Sequence, residues 1–132
     1  MAPIWRCCDR ELPWGERTRI MGIVNVTPDS FSDGGNFYDT HKAIEHAYRL
    51  IEEGADVIDI GGASSRPGAE LVSEDEELQR VLPVVEEIAR RAGYFVSVDT
   101  FAYRVAARCV EAGACIINDI TGLQHDSRLA SL

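Results

Sequence analysis

Basic charge is scarce in this chain of 132 residues, which has 13 lysines and arginines against 22 aspartates and glutamates. A surface that binds nucleic acid needs clustered lysine and arginine, so the net charge of −9 argues against DNA or RNA as a partner. Long apolar runs are also missing, since no stretch approaches the roughly 20 residues that a membrane-spanning helix needs. The chain is 45% hydrophobic and 27% charged, which is typical of a single globular domain.

The first residues, MAPIWRCCDREL, lack the apolar stretch of a secretory signal and carry charges in its place. We therefore expect a cytoplasmic protein. In residues 1–17 the apolar residues do not recur at the spacing of a helix or a strand. This segment is interpreted as an N-terminal arm, either a loose segment or a short strand. Residues 18–132 are interpreted as one domain.

The cysteines and histidines lack the spacing of a metal site. Cys7 and Cys8 are adjacent, without the two-residue gap of a zinc knuckle. Cys109 lies on a predicted helical stripe and Cys115 opens a predicted strand, and free cysteine in such places packs as a small hydrophobic residue. The sequence therefore predicts no cysteine metal centre.

From residue 18 onward, apolar strands alternate with amphipathic helices. The strands are predicted at residues 18–26, 57–60, 95–98 and 115–117. The segment EEGADVIDIGG resembles EAGACIINDITG further along the chain, which indicates a repeated helix-to-strand unit. Right-handed crossovers between such units make the strands parallel, so we predict an α/β fold, either an open sheet or a closed barrel.

Local signals predict where the helices begin and where one is interrupted. Asp39 or Thr40 is a candidate N-cap of the first helix. Ser73 with Glu76 three residues later forms a capping box for the second helix. Pro83 lies inside that second helix, so a kink or a break is expected just before it.

Polar side chains follow the apolar strands at the points where these end. They are Asn25, then Ser64, Ser65 and Arg66, then Asp99, and finally Asn118 with Asp119. In parallel α/β folds the carboxyl ends of the strands meet at one rim, where ligands bind. Each residue could instead cap the next loop or helix, as Asn and Asp often do. Their recurrence after four strands favours a binding site.

The types of these residues suggest a ligand. Asp and Asn can hydrogen-bond the amino, ring N–H and carbonyl groups of a flat heterocycle. Ser65 and Arg66, in the glycine-rich segment GGASSRPGAE, suit an anion such as phosphate, although the segment could also be a flexible surface loop. Asn25 and a bound diphosphate could together supply oxygen ligands to Mg²⁺.

Four segments resemble the dihydropteroate synthase family over residues 18–128. They are MGIVNVTPDSFSDGG, GADVIDIGGASSRPGAE, VSVDTF and EAGACIINDITG. The resemblance implies a TIM (β/α)8 barrel, of which this chain holds the first four βα units, so residues 18–132 would form a partial pterin-binding barrel domain. It also implies a transferase of folate biosynthesis, which condenses 6-hydroxymethyl-7,8-dihydropterin diphosphate with p-aminobenzoate to dihydropteroate and diphosphate.

The resemblance also assigns roles to residues. Asp99 and Asn118 would bind the pterin ring, and Asn25 would bind the diphosphate and its Mg²⁺. Two loops would close over the diphosphate and p-aminobenzoate, and their residues are Phe31, Asp33, Ser65, Arg66 and Pro67. Pro67 would line the p-aminobenzoate pocket.

The chain departs from the family pattern at Ala63, where the family usually has Glu, and in its length, since a TIM barrel needs about 250 residues. We therefore expect this chain to be an inactive N-terminal fragment of an enzyme that is a homodimer at full length. An alternative is the pterin-binding barrel of corrinoid-dependent methyltransferases. The segment NVTPDSFSDGG favours the synthase.

Overall fold

The computed structural model describes residues 2–27, 36–63, 68, 71–90 and 94–132. The strands are β1 (Ile4–Cys7), β2 (Arg10–Pro13), β3 (Met21–Asn25), β4 (Val57–Gly61), β5 (Phe95–Asp99) and β6 (Ile116–Asn118). The helices are α1 (Asn36–Glu52), α2 (Glu74–Ala89) and α3 (Tyr103–Glu111), followed by a 3₁₀ helix at Ser127–Ser131. None of the described helices is both long and apolar enough to cross a membrane.

Strands β3 to β6 form one parallel sheet in the order β3-β4-β5-β6. Each strand is followed in the chain by a helix, so the predicted repeated unit is present and the α/β class is confirmed. The first strand of this sheet is shorter than the predicted 18–26. It begins at Met21, and directly before it the Ile20 amide donates to the Asp56 carboxylate, with which Arg17 and Arg19 also pair.

The helices cover one face of this sheet, which we call the outer face. Val24, Ile60 and Val98 point to this side and are almost fully buried in an apolar cluster to which α2 contributes Val81 and Val85. Side chains alternate along a strand, so the neighbouring residues point to the opposite, inner face. That alternation separates the apolar core from the polar residues at the strand ends.

Helix α2 begins as predicted, but Pro83 does not break it. Ser73 is the N-cap, and its hydroxyl accepts a hydrogen bond from the Glu76 amide at 3.2 Å. The helix then runs without interruption through Pro83. Pro83 is exposed, whereas Val84 and Val85 after it are fully buried. Packing of the buried face therefore outweighs the hydrogen bond that proline cannot donate.

Helix α1 begins at Asn36, earlier than predicted. Asp39 and Thr40 therefore lie inside the helix, and their prediction as N-caps is wrong. Apolar residues recur at helical spacing in this segment from Ala43 onward, and Ala43 and Ala47 are buried. A period of apolar residues therefore marks this helix from Ala43 onward and does not show how far it extends toward the N-terminus.

The N-terminal arm is a β-hairpin in which β1 pairs with β2 in antiparallel register. Cys7 and Leu12 of this hairpin are buried in a second apolar cluster. The sheet contributes Val57, Phe95 and Ile116 to the cluster, all from the first half of their strands and all on the inner face. The hairpin therefore covers the inner face at the end opposite the carboxyl ends of the strands.

Candidate functional site

One residue from each strand of the parallel sheet forms a row at the carboxyl ends. Asn25 is in register with Gly61, Gly61 with Asp99, and Asp99 with Asn118. All four point to the inner face, and at the usual interstrand spacing of about 4.8 Å the row is about 14 Å long. The structure thus brings together the predicted residues Asn25, Asp99 and Asn118. We call these four residues the rim row.

Gly61 leaves the centre of the rim row free of side-chain atoms. A Cβ atom at this position would lie 3.6 Å from Asp99 Oδ2 and 3.8 Å from Asn25 Oδ1. The carboxylate of Asp99 and the amide oxygen of Asn25 therefore flank the same point of the backbone. A planar group that lies over Gly61 would meet oxygen atoms on both sides.

Asp59, which sequence reasoning missed, orients the side chain of Asn118 through a hydrogen bond. Its side chain is on β4, one inward-facing position before Gly61, and Asp59 is 3% exposed. Asn118 Nδ2 donates a hydrogen bond to Asp59 Oδ2 at 3.1 Å. This bond directs the amide nitrogen to Asp59 and leaves the amide oxygen of Asn118 for another donor. A clue was present in the sequence, because a carboxylate inside the apolar run VIDIG must be paired when buried.

On the inner face, one inward-facing position before the rim row, two buried polar atoms have no hydrogen-bond partner among the described residues. They are Asp59 Oδ1 and Ser97 Oγ. Asp59 and Ser97 are opposite each other in the β4–β5 register, so the two atoms belong to neighbouring positions of the inner face. Buried polar atoms in folded proteins are nearly always paired, so this layer is suited to a further hydrogen-bonding group.

The electrostatics of the rim row centre on Asp99, which is half-buried. Burial raises the pKa of its carboxyl group above the ordinary value, and the negative charges of Asp59 and Asp119 raise it further. The inner face at this end is therefore rich in acceptors and in negative charge. Such a surface suits a ligand that presents several N–H donors.

Asp119 has a different function from its neighbour Asn118. Its carboxylate accepts hydrogen bonds from the amides of Thr121, at 2.8 Å, and Leu123, at 2.9 Å. The hydroxyl of Thr121 donates to the same carboxylate. Asp119 therefore caps the loop that follows β6, and the interpretation as a loop cap is the correct one for this residue.

Helix α2 supports the strand ends from the outer side. Glu77 is buried beside Thr100, which directly follows Asp99, and burial raises the pKa of the Glu77 carboxyl group. Arg80 Nη1 donates to the carbonyl oxygen of Gly62 at 2.7 Å. A Cβ atom on Gly62 would lie 2.8 Å from Val81 Cγ1, so only glycine allows the chain after β4 to pass this close to the helix. These contacts fix the position of Gly61 and Asp99.

The remaining predicted site residues lie outside the described residues. They are Phe31, Asp33, Ser65, Arg66 and Pro67. Within the described ranges there is no group of three or more His, Cys, Asp or Glu side chains that could hold a metal ion.

Comparison with known proteins identifies the family of the chain. A family model described as "Pterin binding enzyme" matches residues 21–132. The dihydropteroate synthase of Bacillus subtilis (strain 168) is 56% identical over 121 residues, which are 92% of this chain and 42% of that protein. The chain thus spans about half the length of the dihydropteroate synthases that it matches.

Solved structures of dihydropteroate synthases share the fold. The Xanthomonas albilineans enzyme with 4-aminobenzoic acid superposes with a TM-score of 0.89 and 48% identity, covering 99% of this chain and 48% of that one. The same enzyme in complex with 7,8-dihydropteroate gives a TM-score of 0.82 and 46% identity, covering 98% and 46% of the two chains. These similarities confirm the fold class, with the four βα units here corresponding to part of a TIM barrel. Because the family model spans most of its length and its strand ends carry the expected polar row, the chain belongs to the pterin binding enzyme family.

Proposed function

We propose that the rim row is the pterin-binding part of a dihydropteroate synthase active site and that this chain supplies half of the enzyme's barrel. The observation that carries the proposal is the arrangement of Asp99 and Asn118 on adjacent strands, with Asn118 oriented by Asp59. A pterin presents an amino group, ring N–H groups and a carbonyl along one edge. The Asp99 carboxylate and the Asn118 amide can match these donors and acceptors.

The ligands of the relatives support this choice of substrates. Structures of the Xanthomonas albilineans enzyme hold 4-aminobenzoic acid and 7,8-dihydropteroate, which correspond to a substrate and to the product of the proposed reaction. The Bacillus subtilis and Xanthomonas albilineans relatives are both dihydropteroate synthases, which favours the condensation over methyl transfer.

The reaction places modest demands on the residues of this chain. The C–O bond from the pterin methylene carbon to diphosphate breaks and diphosphate leaves with the bonding electrons. A C–N bond to the amine of p-aminobenzoate forms, and the proton that the amine loses passes to solvent. Positive charge that develops on the pterin methylene is stabilised by the ionised Asp99 carboxylate. Positioning of the two reactants over the rim row supplies the remainder of the rate enhancement.

Asn25 is the residue that we assign to Mg²⁺. Its Oδ1 atom lies at the open centre of the rim row beside the Asp99 carboxylate, and oxygen donors are the ligands that Mg²⁺ prefers. Mg²⁺ takes few protein ligands and completes its shell with water and phosphate oxygens, so a single asparagine fits. When bound, the ion neutralises charge on the departing diphosphate.

The roles of Phe31, Asp33, Ser65, Arg66 and Pro67 in the loops over diphosphate and p-aminobenzoate stay predictions. So do the homodimer of the full-length enzyme and its cytoplasmic location. The proposed pterin site does not depend on them, because the rim row is formed by strand residues alone.

A chimera tests the proposed function. Residues 1–132 are joined to the C-terminal remainder of the Bacillus subtilis relative, so that the four strands are completed by their counterpart from a protein 56% identical in the matched region. We expect the chimera to form dihydropteroate from the pterin diphosphate and p-aminobenzoate. Because the 132-residue chain supplies only four strands of the barrel, we expect it to be inactive by itself.

Matched variants connect the activity to the rim row. Asp99→Ala in the chimera is expected to abolish product formation, whereas Asp9→Ala, at an exposed turn of the hairpin, is expected to leave it unchanged. A folded chimera without activity, or an Asp99→Ala chimera as active as its parent, would contradict the proposed function.

A further inference from the structure

Two cysteines that are far apart in the sequence lie in the apolar cluster between the N-terminal hairpin and the parallel sheet. Cys7 is the last residue of β1 and is 1% exposed. Cys115 directly precedes β6, is half-buried and packs against the same apolar cluster. Burial raises the pKa of the Cys7 thiol, and the neighbouring Cys115 thiol raises it further. Both cysteines are in the free thiol form.

The surroundings fix the Cys115 sulfur in this position. Its thiol donates a hydrogen bond to the carbonyl oxygen of Val96 at 3.6 Å. Arg10, which is in register with Cys7 in the hairpin, places Nη2 3.8 Å from the Cys115 sulfur. The guanidinium of Arg10 is itself held over the Phe95 ring, with its central carbon 4.3 Å from the ring centroid.

The two other cysteines are not part of this arrangement. Cys8 is exposed in the hairpin turn, with a φ of 56°. Cys109 lies on the buried face of α3, where burial raises the pKa of its thiol to about 12. The structure therefore distinguishes one neighbouring pair of thiols, in a shared apolar cluster, from an exposed thiol and a fully buried one.

We propose that Cys7 and Cys115 are a redox-sensitive thiol pair, which a peroxide converts to a disulfide that ties the N-terminal hairpin to the parallel sheet. Hydrogen peroxide oxidises the Cys115 sulfur, the more accessible of the two, to a sulfenic acid and releases water. The Cys7 sulfur then attacks the sulfenic sulfur, the S–S bond forms, and the sulfenic oxygen leaves as a second water. The peroxide takes up two electrons and the two thiols lose two hydrogens.

Arg10 is suited to the intermediate of this reaction. Its guanidinium donates toward the sulfur that gains oxygen, and hydrogen bonds from guanidinium groups to anionic oxygen are strong. The disulfide would close a loop over most of the chain, which restricts the unfolded ensemble and stabilises the docked hairpin. The pair lies at the end of the sheet opposite the rim row, so its oxidation does not depend on the proposed function.

Peptide mapping of the oxidised chain tests the proposal. The reduced 132-residue chain is treated with an equimolar amount of hydrogen peroxide, alkylated and digested without reduction, and linked cysteines are assigned by tandem mass spectrometry. We expect the Cys7–Cys115 link to exceed every other pairing, with Cys109 alkylated only after denaturation. A parallel sample oxidised in guanidinium chloride should lose this preference.

Variants and a stability measurement give a second readout. Cys8→Ala should retain the link, and the thermal midpoint of this variant should rise on peroxide treatment. Cys115→Ala should show neither the link nor the rise. Absence of the link in both the wild type and Cys8→Ala, a link from Cys8 in its place, or the same pairing in guanidinium chloride would overturn the proposal.

Discussion

Asp56 offers a quantitative test of how the first two strands of the sheet are held together. It lies directly before β4, and its carboxylate pairs with both Arg17 and Arg19, the latter at 3.1 Å. The same carboxylate accepts a hydrogen bond from the Ile20 amide at 2.9 Å. The side chain is only 10% exposed, so these contacts anchor the chain before β3 to the start of β4.

The size of the effect follows from the pKa of Asp56. Hydrogen bonding to Arg17, helped by the Ile20 amide and by Arg19, lowers this pKa from 3.8 to about 2. At about 1.4 kcal/mol per pKa unit, the ionised carboxylate contributes about 2 kcal/mol to the free energy of unfolding. This figure is an upper value, because Arg17 is half-exposed and solvent screens its charge.

Asp56→Asn should therefore lower the free energy of unfolding by up to about 2 kcal/mol at neutral pH. A depressed carboxylate pKa stabilises the fold above the unfolded value of 3.8, and this contribution is lost as the pH falls through about 2. The difference between wild type and variant should therefore shrink between pH 4 and pH 2. Urea unfolding followed by the fluorescence of Trp5 and Trp14, both on the neighbouring hairpin segment, measures it.

Asp9→Asn is the matched control, since Asp9 is exposed in the hairpin turn and should give no change. A difference between wild type and Asp56→Asn that is the same at pH 2 and at neutral pH would refute the reasoning. Equal stability of the two proteins at neutral pH would refute it as well.

Three further predictions concern helix α2 and the rim row. Ser73→Ala should lower the free energy of unfolding by about 1 kcal/mol and Ser73→Asp should restore it, because either side chain accepts the Glu76 amide; urea titration measures both. Gly62→Ala should lower the free energy of unfolding by about 1–3 kcal/mol, because the new Cβ atom would lie 2.8 Å from Val81 Cγ1. A Cβ atom at Gly61 would meet nothing closer than 3.4 Å, so Gly61→Ala should lower it less in the same urea titration. As the pH falls, the chimera should lose affinity for the pterin when Asp99 is protonated. Because the pKa of Asp99 is raised, this loss should begin at a higher pH than for an aspartate with the ordinary pKa of 3.8. Titration calorimetry over a pH series measures the affinity, and a loss that begins only near pH 3.8 would contradict the prediction.

The parallel sheet and the rim row were predictable because they depend on local pattern. Apolar runs located the four strands, and the rule that parallel strands end at one edge then brought Asn25, Asp99 and Asn118 together. The Ser73 cap was predictable for the same reason, since it involves atoms three residues apart.

The features that were missed depend on contacts between distant parts of the chain. The bond from Asn118 to Asp59 joins β6 to β4 across the intervening strand. The N-terminal hairpin is stabilised by burial of Cys7 and Leu12 on the sheet, which no pattern within residues 1–17 reveals. The uninterrupted helix at Pro83 likewise reflects tertiary packing that overrides a local preference.

The affinity of the chimera for the pterin diphosphate tests the central claim most directly. The claim is that Asp99 and Asn118 bind the pterin ring from the rim row. Loss of a charged hydrogen-bonding partner costs about 1.5–3 kcal/mol, so calorimetry should find Asp99→Ala weaker than the parent by at least about tenfold, with Asp9→Ala unchanged. Equal affinity of the parent and Asp99→Ala, with both chimeras folded, would contradict the account.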